Sequence, residues 1–249
     1  MKKLIMRKSL LAVLLAMTTC LSMSYTASAD LIFDSSLGGV TGSGLGAVST
    51  ILTIQSPGSG TLESGSVGRA SGADVTSDTG VLASGGTTSV GNVKTGASQT
   101  LTRTLGENGI TKAAQIAIVL NADEPGGNSI TLTGLQLSVF NGNSDIFDAH
   151  LAASITFPTT FTGIGKEGFV FKLDPSQAAA LQALLDPLAP ATVAALRLGL
   201  SASASDATGG PETFNVAMIT AAPEPGTFLL AITGVTGLAF VAWRRRIKS

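Results

Sequence analysis

The sequence predicts a mainly β protein, an antiparallel β-sandwich of jelly-roll type with one short helix, and three observations predict it. Short apolar runs between residues 100 and 220 alternate with a period of two. Clusters of Gly, Pro, Asn and Asp separate those runs and supply turns. The strand–helix–strand alternation that a parallel sheet requires is missing.

Taken in order, residues 30–49 begin the chain's body as a linker or irregular cover, because Gly38 to Gly46 is dominated by Gly and Ser. The β-sandwich domain is expected over 50–220. Its first part, to about Gln99, is rich in Gly, Ser and Thr, with β-favouring patches such as Ile51 to Ile54 that read as strands from Thr50 onward. A β-solenoid is the alternative for residues 40–100, and no repeat of fixed period supports it.

Beyond Thr100 the pattern strengthens. Ile116, Ile118 and Leu120 share one face of a strand, and Pro125-Gly126-Gly127-Asn128 turns the chain. In the next strand Ile130 and Leu132 have one parity, while Leu135, Leu137 and Val139 have the other. The switch falls at Gly134, where a bulge would keep the apolar face inward on both sides.

Further strands are expected through Leu151, Ala153, Ile155 and Phe157, and through Phe169, Phe171 and Leu173. Asp174 as N-cap and Pro175 at the first helical position then open a helix with an apolar stripe of Leu181, Leu184 and Leu185. The last two strands, around Leu196 to Ala202 and Phe214 to Met218, read as a hairpin joined by an Asp206 to Pro211 turn.

The two ends have a different character. Lys2, Lys3, Arg7 and Lys8 precede an apolar stretch from Leu10 to Met17, and Ala27-Ser28-Ala29 forms a small-residue cleavage site. Residues 1–29 therefore read as a secretory signal peptide, cut by signal peptidase so that the mature chain begins at Asp30. Cys20 follows Met17, Thr18 and Thr19, which is no lipobox, and leaves with the signal.

At the other end, Pro223, Glu224 and Pro225 precede an apolar run from Gly226 to Trp243 and a basic cluster of Arg244, Arg245, Arg246 and Lys248. As a helix the run is about 27 Å long, enough to span a hydrocarbon core as a transmembrane helix over 226–243. The basic cluster is then retained in the cytoplasm and everything before Pro223 lies outside. The two prolines keep the segment beside the bilayer extended.

This order of parts over 223–249 resembles the PEP-CTERM sorting signal of exopolysaccharide-producing Gram-negative bacteria. The resemblance covers about a tenth of the chain. It implies that an exosortase, a membrane-embedded cysteine transpeptidase-like enzyme, recognises Pro223, Glu224 and Pro225 and removes the tail. It implies inner-membrane anchoring before processing, then a cell-surface or extracellular address in a polysaccharide or biofilm matrix.

Charge and composition bound the rest. The formal net charge is −1, but residues 1–29 contribute +4 and residues 223–249 +3, which leaves −8 on residues 30–222. An acidic body lacks the basic footprint that nucleic acid requires. Cys20, Tyr25 and Trp243 all lie outside it, so the body has no Cys, Tyr or Trp. Disulfides, thiolate metal sites and cysteine nucleophiles are excluded together, and stability must come from packing.

Few residues suggest chemistry. His150, the sole histidine, has Asp145 and Asp148 nearby, but no GxSxG elbow accompanies it. Asp123-Glu124 and Asp145/Asp148 are the pairs a glycosidase reading would use; both adjoin turn residues, where acids are normally solvated, and aromatic platforms for sugar are lacking. No cofactor is expected, with calcium as the one candidate. Asn141, Asn143, Asp145 and Asp148 place oxygen ligands as hard-cation loops do, although position twelve is Ala152 instead of a bidentate Glu. Asp206 and Glu212 around Gly209-Gly210 are a second, slighter candidate.

The expectation is an exported structural or interaction protein and not an enzyme, with exosortase, signal peptidase and extracellular polysaccharide as partners. A calcium-dependent carbohydrate-binding or adhesion module is the alternative, and a secreted hydrolase the third reading.

Overall fold

The computed structural model describes residues 30–37, 49–56, 60–78, 92–95, 99–125, 128–158 and 167–219. The signal peptide, the Gly38 to Gly46 stretch and the whole 223–249 tail lie outside these residues. Among the described residues no helix is long and apolar enough to cross a membrane.

The fold is mainly β, as the alternation implies, and the twelve strands among the described residues belong to one sheet curved into a half-barrel. Two stacked sheets were expected. The strands, in chain order, are β1 (Asp30–Phe33), β2 (Ser49–Ile54), β3 (Leu62–Ala70), β4 (Ala73–Ser77), β5 (Arg103–Thr104), β6 (Ile116–Ala122), β7 (Ser129–Asn141), β8 (Ser144–Leu151), β9 (Ile155–Pro158), β10 (Glu167–Leu173), β11 (Arg197–Ser205) and β12 (Glu212–Met218). The main path runs β2-β12-β6-β10-β1-β8-β7-β11-β3-β4, with β5 on β11 and β9 on β7. Every pairing is antiparallel except β1 with β8.

Curvature brings the far ends of this path together. The segments after β4 dock on the free edge of β2, with Gln55 N–H donating to Asn92 O at 2.7 Å and Lys94 N–H to Thr53 O at 3.0 Å. Opposite them, a Cβ on Gly65 of β3 would lie 2.4 Å from Val93 Cγ2 and 2.7 Å from Ile54 Cγ2. Glycine is what lets the two ends pack this closely. The β3–β4 pair is an ordinary antiparallel ladder, so the solenoid alternative fails where it is described.

Among the described residues the main apolar cluster covers one face of the sheet, and a smaller one of Ala117, Val119 and Val170 covers the other face of β6 and β10. Ile116, Ile118 and Leu120 are each at most 1% exposed and join the main cluster together, whereas the opposite-parity Ala117 and Val119 are buried in the smaller one. The bulge at Gly134 is present: Ser203 faces Gly134 while Ala204 faces Leu132, leaving Thr133 unmatched. Ile130, Leu132, Leu135, Leu137 and Val139 are consequently all buried.

Asp174 caps helix α1 (Pro175–Leu185) by accepting the Gln177 N–H at 2.8 Å. Leu181 and Leu185 are buried, but Leu184 is 43% exposed and lies outside the expected stripe. A second helix, α2 (Pro190–Ala195), follows where one helix was expected. Proline at its start has the same role as in α1.

Three further expectations need correction. Residues 30–37 are not linker: β1 is an interior strand, followed by a 3-10 turn at Ser35–Leu37. The stretch from Leu151 to Phe157 is interrupted between β8 and β9. The expected final hairpin does not form, because β11 pairs with β3, β5 and β7 while β12 pairs with β2 and β6. The Asp206 to Pro211 connection thus carries the chain from one half of the sheet to the other.

Candidate functional site

That connection lies at the end of the half-barrel where β2 and β6 finish and β3 and β12 start. Three glutamates come together there, with Asp123 alongside. Glu212 opens β12 opposite Ile54, Glu63 sits in β3 opposite Ala204, and Asp123 and Glu124 follow β6. Glu63, Glu124 and Glu212 are 3%, 4% and 0% exposed. The expectation of solvated acids at Asp123-Glu124 is overturned for Glu124, because the incoming 206–211 loop covers it.

Loop geometry explains the burial. Glu124 accepts the Thr208 N–H at 2.9 Å and 3.0 Å through its two oxygens and the Thr208 hydroxyl at 2.8 Å. Gly210 N–H donates to Asp123 O at 2.8 Å, and Ala207 N–H to Thr61 O at 3.1 Å. A Cβ on Gly209 would stand 1.7 Å from Asp123 O. Side-chain-free backbone at this position is what allows the loop to close. Asp206 enters the loop in the left-handed region at φ 63° and takes no part in the cluster.

Glu63 and Glu212 form the centre. Glu63 Oε1 accepts the Ser56 N–H at 2.8 Å, whereas its Oε2 and both Glu212 carboxyl oxygens are buried without another partner. Two ionised carboxylates in that position would be strongly unfavourable. A neutral Glu212 carboxyl avoids this conflict. Burial, then the hydrogen bond that a protonated Glu212 donates to Glu63, then the charges of Glu63 and Glu124 push the Glu212 carboxyl up to about 10. Burial likewise raises Asp123. Among the described residues no group of three or more His, Cys, Asp or Glu side chains is arranged to hold a metal.

The candidate calcium loop proves to be a hairpin. Asn141 ends β7, Gly142 turns with φ 63°, and Asp145 and Asp148 lie within β8. A second bulge, between Val139 and Phe140, puts Asp145 opposite Phe140 and Asp148 opposite Ser138, so that the two acids share a face. Loss of hydration and then the charge of Asp148 push the Asp145 carboxyl up to about 6. Solvent at this exposed position keeps the energetic consequence small.

The other candidate ligands have protein partners. Asp148 accepts from Gln136 Nε2 at 2.9 Å and from the Ser138 hydroxyl. Asn143 Oδ1 accepts the Gly72 N–H at 2.8 Å, which ties the hairpin to the β3–β4 turn. Asn141 is exposed.

His150 is exposed in β8, between Asp30 of β1 and Gln136 of β7. Its near neighbour in sequence, Asp148, is bonded directly by the Ser138 hydroxyl. A pocket of about 480 Å³ lies elsewhere, between α1, α2 and the 3-10 turn at Gly106–Asn108, with Ile110, Leu185, Pro190 and Val193 on its apolar walls.

No family model, curated protein or solved structure matches this chain.

Proposed function

We propose that this chain is an exported structural or interaction protein, displayed or released at the cell surface through processing of its C-terminal tail. The observation that carries the reading is the order of parts in residues 223–249: a Pro-Glu-Pro triplet, an 18-residue apolar run, and a cluster of basic residues. The acidic half-barrel is the cargo of that signal.

In this reading Pro223, Glu224 and Pro225 are the segment that exosortase grips. Residues 226–243 hold the precursor in the inner membrane, and Arg244 to Arg246 with Lys248 prevent its passage outward. The body acts by display and interaction, with exopolysaccharide as the partner class, and the curled half-barrel stands in the sandwich-like role the alternating strands suggested. Replacing Pro223, Glu224 and Pro225 together with Ala is expected to leave export intact and to trap the full-length protein in the membrane. Intact-mass analysis of envelope and medium decides this. A species from Asp30 to near Pro225 in the wild type, absent in the variant and in a host without exosortase, is the expected result; normal release of the variant would sink the reading.

A second reading has one observation in its favour, the bulge that places Asp145 and Asp148 on one face of the β7–β8 hairpin. A calcium-dependent adhesion module built there would show a thermal shift on calcium addition that chelator reverses.

A further inference from the structure

Along the sheet, β1 alone joins two half-sheets. On one side Leu31, Ile32 and Phe33 lie opposite Leu173, Lys172 and Phe171 of β10, and on the other Asp30 and Leu31 lie opposite His150 and Leu151 of β8. Lifting β1 out would expose two raw edges in the middle of the sheet.

The slot is shaped for this strand. Leu31 is 2% exposed, and the Phe33 ring sits 5.1, 6.3 and 5.8 Å from the rings of Phe157, Phe169 and Phe171. A latch follows immediately: Asp34 N–H donates to Val170 O at 2.8 Å, and its carboxylate meets Lys172 Nζ at 2.6 Å. An extended segment with apolar side chains at alternate positions, bonded through its backbone along an edge, is the general pattern of strand addition.

We propose that this slot also accepts the Asp30–Phe33 strand of a second copy, so that copies of the protein associate by exchanging their N-terminal strands. The partner is another copy because only its β1 repeats this register, the Leu31 and Phe33 anchors and the Asp34 latch together. The chain between Leu37 and Ser49 contains five glycines. Its backbone reaches at most about 40 Å, enough for a strand to sit in a neighbour while remaining attached to its own body.

Exchange replaces contacts with identical ones, so concentration decides between closed and exchanged forms. A chain's own strand competes at an effective concentration in the millimolar range. Exchange is therefore established while crowded copies fold, and not by mixing finished monomers. The inference stands on the fold and is independent of the sorting reading.

The absence of cysteine from the body makes a direct test possible. Two full-length chains with different tags, each carrying Cys20→Ser, are co-expressed in the native host, one with Ile32→Cys and the other with His150→Cys, which leaves the Asp34–Lys172 latch in place. A short bismaleimide is added, and the covalent dimer captured through both tags is measured. Asp30 lies opposite His150, and Ile32 is two residues further on the same face of β1, so a cross-link between differently tagged chains above the collision level reports β1 of one copy in the slot of the other. Ile32→Cys paired with Thr95→Cys, an exposed position away from β1, reports random collision. Severalfold more dimer from the Ile32→Cys and His150→Cys pair than from this control is the expected result. Equal yields would overturn the proposal, and the same chain carrying both of these cysteines verifies that the reagent spans them.

Discussion

Glu212→Gln is expected to flatten the pH dependence of stability and to raise the melting temperature on the alkaline side. Between its ordinary value of about 4.5 and its folded value of about 10, Glu212 holds a proton in the folded chain that the unfolded chain has released. Stability from this group is thus complete below about pH 4.5 and declines as pH rises toward 10, by at most about 1.4 kcal/mol per pH unit. Glutamine supplies a neutral amide whose N–H can donate to Glu63 Oε2 at every pH. Thermal unfolding followed by circular dichroism, at intervals from pH 5 to 9, should show the two proteins diverging as pH rises. Parallel curves would mean that Glu212 is not held neutral at this site.

The acid side has the opposite sign. Its hydrogen bond with Lys172, then that with Ser36, hold the Asp34 carboxyl down at about 2 from an ordinary 3.8. The stabilising contribution of Asp34 is present above 3.8 and is lost as pH falls through about 2.

Gly209→Ala is expected to cost on the order of 3 kcal/mol or more, because the new methyl would overlap a backbone carbonyl instead of a movable side chain. The obstructing atom is Asp123 O at 1.7 Å. Gly210→Ala meets the Asp123 carboxylate, at 1.9 Å from Oδ2, which can rotate aside. The expected order of denaturation midpoints is therefore wild type, Gly210→Ala, then Gly209→Ala. A Gly209→Ala protein within about 1 kcal/mol of wild type would show that the 206–211 loop can close without this approach.

What could be read from the sequence was what local spacing determines. Parity alone revealed the inward face of Ile116, Ile118 and Leu120 and the bulge at Gly134, since side chains alternate whatever the partner strand is. The Asp174 cap was legible because its hydrogen bond spans three residues. Features set by distant pairing were not. Asp30 to Phe33 is too short to show a period and adjoins a glycine-rich stretch, so its position between β8 and β10 left no local mark. The final hairpin was inferred from adjacency, and β11 and β12 instead turn to different neighbours. Glu63, Glu124 and Glu212 are separated along the chain by roughly 60 to 90 residues, and only strand order brings them together. A glutamate immediately before the Phe214 and Val216 strand, and two glycines ahead of it, were the available hints.

The position of β1 also has a consequence for the time course of folding. Asp30 to Phe33 find their partners only in β8 and β10, roughly 140 residues later for the Leu31–Leu173 pair. Contacts between such distant residues carry a large loop-closure entropy before they return any enthalpy, which slows the barrier-crossing step. A chain delivered from its N-terminus must hold Leu31 and Phe33 unburied until almost the whole body has followed. Closure of the sheet is accordingly a late event, and the half-sheets β2-β12-β6-β10 and β8-β7-β11-β3-β4 are the units that can form before it.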